Sequence, residues 1–231
     1  MSLKAIIDST KETVSNFNLT DTFPVDDEWM MDKADTIREL LIQQNVKKIQ
    51  QSMYQLITCL EIEQVQPGCT INGIYVPTGG ILHKVVLPEL VQGIGDQAIR
   101  YFGLADFKGS FTNRPIETFQ KEVRDRWTNK QIKSAFIGRD AYLKNVPCGM
   151  QRVWLVAIVK HPRTICDYDD ETSDYPCPAE YKLELLLAQD ILSSMGIDRD
   201  ELNDQRNTLM ELKKQAMPRA NVESQQEQQE Q

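Results

Sequence analysis

Apolar residues recur along this chain in two rhythms, and the rhythms divide it into segments. Ile6, Ile7, Val14 and Phe17 give partial helical spacing, so a short helix is predicted over Leu3 to Phe17. Asn16 to Asp27 reads as a loop holding Pro24 and three acids. From Asp27 to about Glu63, Ile37, Leu40, Leu41, Ile49, Met53, Leu56, Ile57 and Leu60 fall at threes and fours without an intervening Gly or Pro. This predicts one long helix, a rod of roughly 50 Å at about 1.5 Å per residue.

Pro67-Gly68 closes that run, Thr70 to Val76 alternates like a strand, and Pro77 to Gly80 reads as a turn. Leu87, Leu90, Val91, Ile94, Ala98 and Tyr101 predict a second helix within Leu82 to Phe102, weakened by Gly93 and Gly95. Its end, Ala98 to Phe102, also suits a strand. Asp106 to Pro115 reads as a loop, and a short helix is expected over Ile116 to Trp127. The clearest β signals follow: Ser134 to Leu143, broken at Gly138-Arg139-Asp140, and the β-branched run Val153 to Val159, ended by His161-Pro162. After an acidic loop, Ile165 to Pro178, helices are predicted over Ala179 to Met195 and Asp200 to Met217. The Gln/Glu-rich end has no apolar face and is expected to stay disordered or to order on binding.

Helices, a β-rich middle and helices again predict an α+β protein: a helical bundle core with a long helix and an inserted β-rich, hairpin-containing region. The expected organisation is an N-terminal segment (1–26), a main domain (27–217, helical over 27–63 and 179–217, β-rich over about 65–165) and a flexible tail (218–231).

Composition narrows the function. With 231 residues, 41% hydrophobic, the chain can bury a sizeable core. The net charge of -8 argues against nucleic-acid binding through a broadly basic surface. The first residues lack the apolar core of a secretory signal, and no stretch approaches the ~20 apolar residues of a membrane span, so a soluble protein made in a cytosol is expected. Five cysteines, none in a C-x-x-C pair, are then expected to be small apolar thiols.

Little of the sequence resembles catalytic chemistry. Gly93-Ile94-Gly95-Asp96-Gln97-Ala98 fits a loose dinucleotide fingerprint, but the required preceding strand is missing, and a helix with closely packed glycines explains it better. Asp167, Asp169, Asp170 and Glu171 form an acidic cluster, yet a calcium loop counted from Asp167 would need Gly and Glu where Thr172 and Pro178 stand. A solvated loop or a contact to a neighbouring subunit remains. His83 and His161 occur in no zinc-ligand pattern, and neither a nucleophile elbow nor a phosphate loop is present. No cofactor, metal or catalytic residue is expected, although a pair of carboxylates would leave no spacing signature.

The order of several segments resembles the ring or adaptor proteins of podophages, above all those of crAss-like phages. These segments are His83-Lys84-Val85-Val86-Leu87-Pro88, Ala98 to Asp106, Phe136 to Leu143, Val153 to Val159 with His161-Pro162, Asp174-Tyr175-Pro176-Cys177-Pro178, and Asp200-Glu201-Leu202-Asn203-Asp204. The similarity spans roughly Ile37 to Asn207; Cys177 between two prolines and the Gln-rich tail depart from it. The resemblance implies a head-to-tail connector of the virion, assembled in the host cytoplasm. It would form a ring of about twelve copies below the portal protein, touch other neck or tail rings, and let DNA pass without specific binding. Candidate partner-binding residues are Asp169, Asp170 and Glu171 in the acidic loop and Arg206, Lys213, Lys214 and Arg219 near the C-terminus. The alternatives are a monomeric scaffolding or regulatory interaction protein and an enzyme with a carboxylate site.

Overall fold

The computed structural model describes residues 1–15, 26–66, 68, 70–71, 74–75, 81–107, 109–121, 131–178 and 182–194. Among them, helices α1 (Leu3–Ser15), α2 (Asp27–Gln44), α3 (Ile116–Lys121) and α4 (Leu183–Ser194) accompany ten strands: β1 (Gln55–Glu61), β2 (Glu63–Val65), β3 (Thr70–Ile71), β4 (Ile74–Tyr75), β5 (Leu82–Val86), β6 (Ile99–Gly103), β7 (Thr112–Asn113), β8 (Lys133–Ile137), β9 (Asp140–Lys144) and β10 (Arg152–Ala157). The loop expected from Asn16, the helix expected over 200–217 and the C-terminal tail fall almost wholly outside the described residues, as do residues 122–127 of the helix expected over Ile116 to Trp127.

The strands form a three-stranded antiparallel sheet ordered β1-β10-β6, a five-stranded sheet ordered β2-β5-β9-β8-β7, and a small β3-β4 hairpin. The principal core lies between the two larger sheets. Ile57 and Leu60 of β1, Phe102 of β6, and Val153, Leu155 and Ala157 of β10 meet Val85 of β5 and Ala141 and Leu143 of β9. Strand alternation sends Tyr142 to the opposite face, where it packs with Val65, Leu82, Ala135 and Phe119 of α3. A separate core holds α1, α2 and α4 together through Leu3, Ile7, Met30, Ala34, Leu187 and Ile191, with Tyr175 among them. The protein is therefore mixed α/β around stacked sheets, which overturns the expected helical bundle core.

The long helix is the main correction. It ends at Gln44, where the Asn45 amide bonds back to Leu41 and Ile42 and its side chain donates to the Leu41 carbonyl at 2.9 Å. Two single 3₁₀ turns follow, and then β1. The misleading rhythm has a physical cause. Ile57 and Leu60 are three apart, which in a regular strand would put them on opposite faces. A register shift between them turns both inward, so a bulged strand reproduces helical spacing.

The second predicted helix, over 82–102, is also replaced. It becomes β5, an irregular run through Pro88, a 3₁₀ turn (Gly95–Ala98) and β6, with Gly93 and Gly95 at positive φ. Leu87, Val91 and Ile94 are buried from this irregular chain rather than from a helix face. The fingerprint-like glycines thus occupy turns, with neither the strand before nor the helix after that a dinucleotide site needs. The single strand expected over Thr70 to Val76 is instead the β3-β4 hairpin, with Thr70 paired to Tyr75 and Ile71 to Ile74. The break expected at Gly138 is the β8-β9 turn, and Val153 to Val159 begins as the buried β10.

Candidate functional site

The loop after β10 ties the three layers together, and the molecule's most elaborate polar structure surrounds it. On α2, Asp35 and Arg38 stand on the buried face among Ala34, Leu41 and Ile42. Residues three and four apart share a helix face, so both charges are carried into the interior. Arg38 is fully buried. Its Nε donates to the Pro176 carbonyl and its Nη1 to the Val159 carbonyl at 2.7 Å, while the guanidinium lies 5.7 Å from the centre of the Tyr175 ring. Asp35 accepts from the Tyr175 hydroxyl at 2.5 Å through Oδ1 and lies 3.0 Å from His161 Nδ1 through Oδ2. Arg163 reaches both Asp32 and Asp35.

Burial sets the ionisation of these groups. It pulls the Arg38 guanidinium below its ordinary range, and Tyr175 and Asp35 act against that. Burial, reinforced by Asp35, holds the Tyr175 hydroxyl well above its ordinary range, so it stays a protonated donor. The Cys177 thiol is pushed up to about 11 by burial, which leaves it a weak nucleophile. The arrangement clamps α2 onto the end of β10 and onto the Asp174 to Cys177 segment.

The acidic loop lies directly upstream of Tyr175. Asp169 caps its own turn: its Oδ1 accepts from the amides of Glu171 and Thr172, each at 2.9 Å, and from the Thr172 hydroxyl at 3.1 Å. Those hydrogen bonds, the Thr172 amide first, hold its carboxyl below the ordinary range. The Asp170 carbonyl accepts from the Lys4 amide, Glu171 pairs with Lys4 Nζ at 2.5 Å, and Asp174 pairs with the α-amino group at 2.8 Å. Asp167 accepts from Thr58 of β1 at 2.6 Å. The candidate residues Asp169, Asp170 and Glu171 are thus gathered in one turn against the start of α1. Arg206, Lys213, Lys214 and Arg219 lie outside the described residues.

Cys59 and Cys166 form a disulfide, so the expectation of uniformly reduced thiols is corrected for these two. The chain leaving β10 folds back beside the neighbouring β1 and brings together cysteines 107 positions apart. No spacing signal could have revealed this pair. The clasp did leave a signal: two charged residues at the centre of an otherwise apolar helix face.

Two features of the surface lie apart from this polar cluster. An open groove of about 310 Å³ between α2 and α4 is lined by Ile37, Leu186, Gln189, Asp190 and Ser193. The outer face of the three-stranded sheet carries Leu56, Tyr101, Trp154 and Val156, with Phe107 packed on it at 5.0 Å from both the Tyr101 and Trp154 rings. Among the described residues, no group of three or more His, Cys, Asp or Glu is arranged to hold a metal ion, and no helix is long and apolar enough to cross a membrane. The sequence matches no family model and no curated protein.

Proposed function

We propose that the chain is a structural protein of a phage virion, a head-to-tail adaptor that assembles as a ring below the portal and lines part of the DNA channel. The family-like segments that suggest this role coincide with the β framework. They cover β5, β6, the β8-β9 hairpin and β10, and then the Asp174 to Pro178 segment that enters the clasp. The long helix no longer supports the reading, because it ends at Gln44.

The observation that carries the reading towards assembly is the outer face of the three-stranded sheet. Leu56 is 43% exposed and Phe107 52% exposed, and they share that face with Tyr101, Trp154 and Val156. A contiguous apolar face of this kind favours a covering partner. In a closed ring, the same face of every copy is covered by a different surface of the next copy. A net charge of -8 is compatible with a channel wall along which DNA slides without tight phosphate contacts.

Native mass spectrometry and electron microscopy of the full chain, alone and with a purified portal, test the reading. A ring of about twelve copies seated on the portal is expected. A chain that stays monomeric and never joins the portal overturns it. Its presence in precursor particles but absence from mature virions would favour the scaffolding alternative.

A further inference from the structure

The acidic loop is held by two anchored ends and one covalent tie. Ile165, just before the loop, is buried between the sheets. Tyr175, just after it, is buried in the helical core and bonded to Asp35. Between these anchors, Cys166 bonds to Cys59 of β1 at the head of the loop. Its other ties lie at or near the surface: the Thr58 hydroxyl to Asp167, the Lys4 amide and Nζ to the Asp170 carbonyl and Glu171, the α-amino group to Asp174, and a backbone bridge between Ser2 and Asp174. Exposed polar contacts of this kind hold a segment only weakly. Tyr168, whose ring packs against both cores, is the only large apolar contact within the loop.

We propose that the Cys59–Cys166 bond is a thiol-operated latch that sets whether the 166–174 loop is held against β1 and the start of α1. Cys166 is exposed, whereas Cys59 is half-buried against the core. A dithiol reductant therefore has its approach at the Cys166 sulfur. Its thiolate attacks there, the bond to Cys59 breaks, and Cys59 leaves as a thiolate that takes up a proton. The reductant's second thiol then attacks its own sulfur in the mixed disulfide and releases the Cys166 thiol. The reductant ends as a disulfide, and the protein has gained two electrons and two protons. Oxidised glutathione drives the reverse reaction, yielding two reduced glutathiones.

The opening is local because the anchors do not depend on the disulfide. Ile165 stays in its core, Tyr175 keeps its bond to Asp35, and Arg38 keeps Pro176 and Val159 in place. What loosens is the turn capped by Asp169 and its connections to Lys4. The latch thus controls the presentation of Asp169, Asp170 and Glu171. This inference stands on the geometry of the described loop and holds whether or not the chain forms a ring.

The test uses the full chain, equilibrated either in oxidised glutathione or in dithiothreitol. After denaturation, the oxidised sample is expected to take up two fewer maleimides than the reduced one, with the missing labels at Cys59 and Cys166. Hydrogen exchange is then compared between the two samples. Amides of residues 166–174 and of Lys4 are expected to exchange at least tenfold faster when reduced, while β8, β9 and β10 keep their protection. The Cys59→Ser/Cys166→Ser chain should match the reduced sample in both media, and Cys148→Ser/Cys177→Ser should respond like the parent. Equal maleimide uptake in the two samples overturns the proposal. So does equal exchange in the loop, which would make the bond passive. A matching loss of protection throughout the sheets also overturns it, since the bond would then be a staple of the whole fold.

Discussion

The Tyr175 hydroxyl donates to the Asp35 carboxylate at 2.5 Å across 140 positions of sequence, and both groups are buried. This bond joins α2 to the segment that follows the acidic loop, and the ring that carries the donor also faces the Arg38 guanidinium. One residue therefore closes the loop, fills the helical core and balances a buried charge.

Tyr175→Phe keeps the ring and removes only the donor. Asp35 retains His161 but loses its shortest partner. Leaving a buried acceptor short of a donor costs about 1–3 kcal/mol. Urea unfolding should show that loss as a lower midpoint with unchanged slope. An unchanged midpoint would show that the hydroxyl contributes nothing to stability.

Gly103→Ala tests the packing below the exposed aromatic face. A Cβ built there falls 2.6 Å from the Tyr101 hydroxyl oxygen and closer still to the Gly109 carbonyl oxygen. That carbonyl already accepts from the Leu104 amide and from the Tyr101 hydroxyl. It belongs to the backbone and cannot swing aside. Overpacking of this kind costs about 1–3 kcal/mol, so the urea midpoint should fall and Trp154 fluorescence should shift as Phe107 is displaced. A variant as stable as the parent would mean that the Leu104 to Gly109 turn yields freely.

The elements legible in the sequence are those whose signals were local. The β8-β9 hairpin announced itself through Gly138, which adopts φ +60° in the turn, and β10 through its β-branched run. Helices α1 and α4 kept their apolar spacing because each buries a single face in the helical core. What failed was spacing produced by irregularity. The bulge between Ile57 and Leu60 imitates a helix, and so do the buried loop residues Leu87, Val91 and Ile94. Of the candidate site, the acidic turn was visible as composition. Its attachment to Lys4 and the pairing of Cys59 with Cys166 arise from chain reversals that no local pattern encodes.

Acid should loosen the turn at Asp169 before it affects the sheets. The carboxyl is held below its ordinary range by hydrogen bonds it accepts only in the folded turn. The contribution is therefore fully present above the unfolded-state value and is lost as pH falls through the lower, folded value. The Glu171 and Thr172 amide resonances, followed by NMR, should titrate together below the ordinary carboxylate range. Asp169→Asn should abolish that step. If the two amides move only with global acid unfolding, the carboxylate does not hold the turn.

Phe107→Asn separates folding from association. Phe107 sits at φ +56°, a conformation in which a bulky side chain is strained and in which Asn is several-fold enriched. With half of its surface already in water, its loss removes little core, and the relief of backbone strain offsets the lost contacts to Tyr101 and Trp154. Monomer stability should stay within about 0.5 kcal/mol of the parent. Association through this face should suffer far more, because a central aromatic anchor commonly contributes about 2 kcal/mol or more to an interface, roughly a thirtyfold change in affinity. Mass photometry across a dilution series should show the variant dissociating at higher concentration than the parent. If both chains assemble alike while the variant remains folded, copies meet through another surface, and the groove between α2 and α4 becomes the next site to alter.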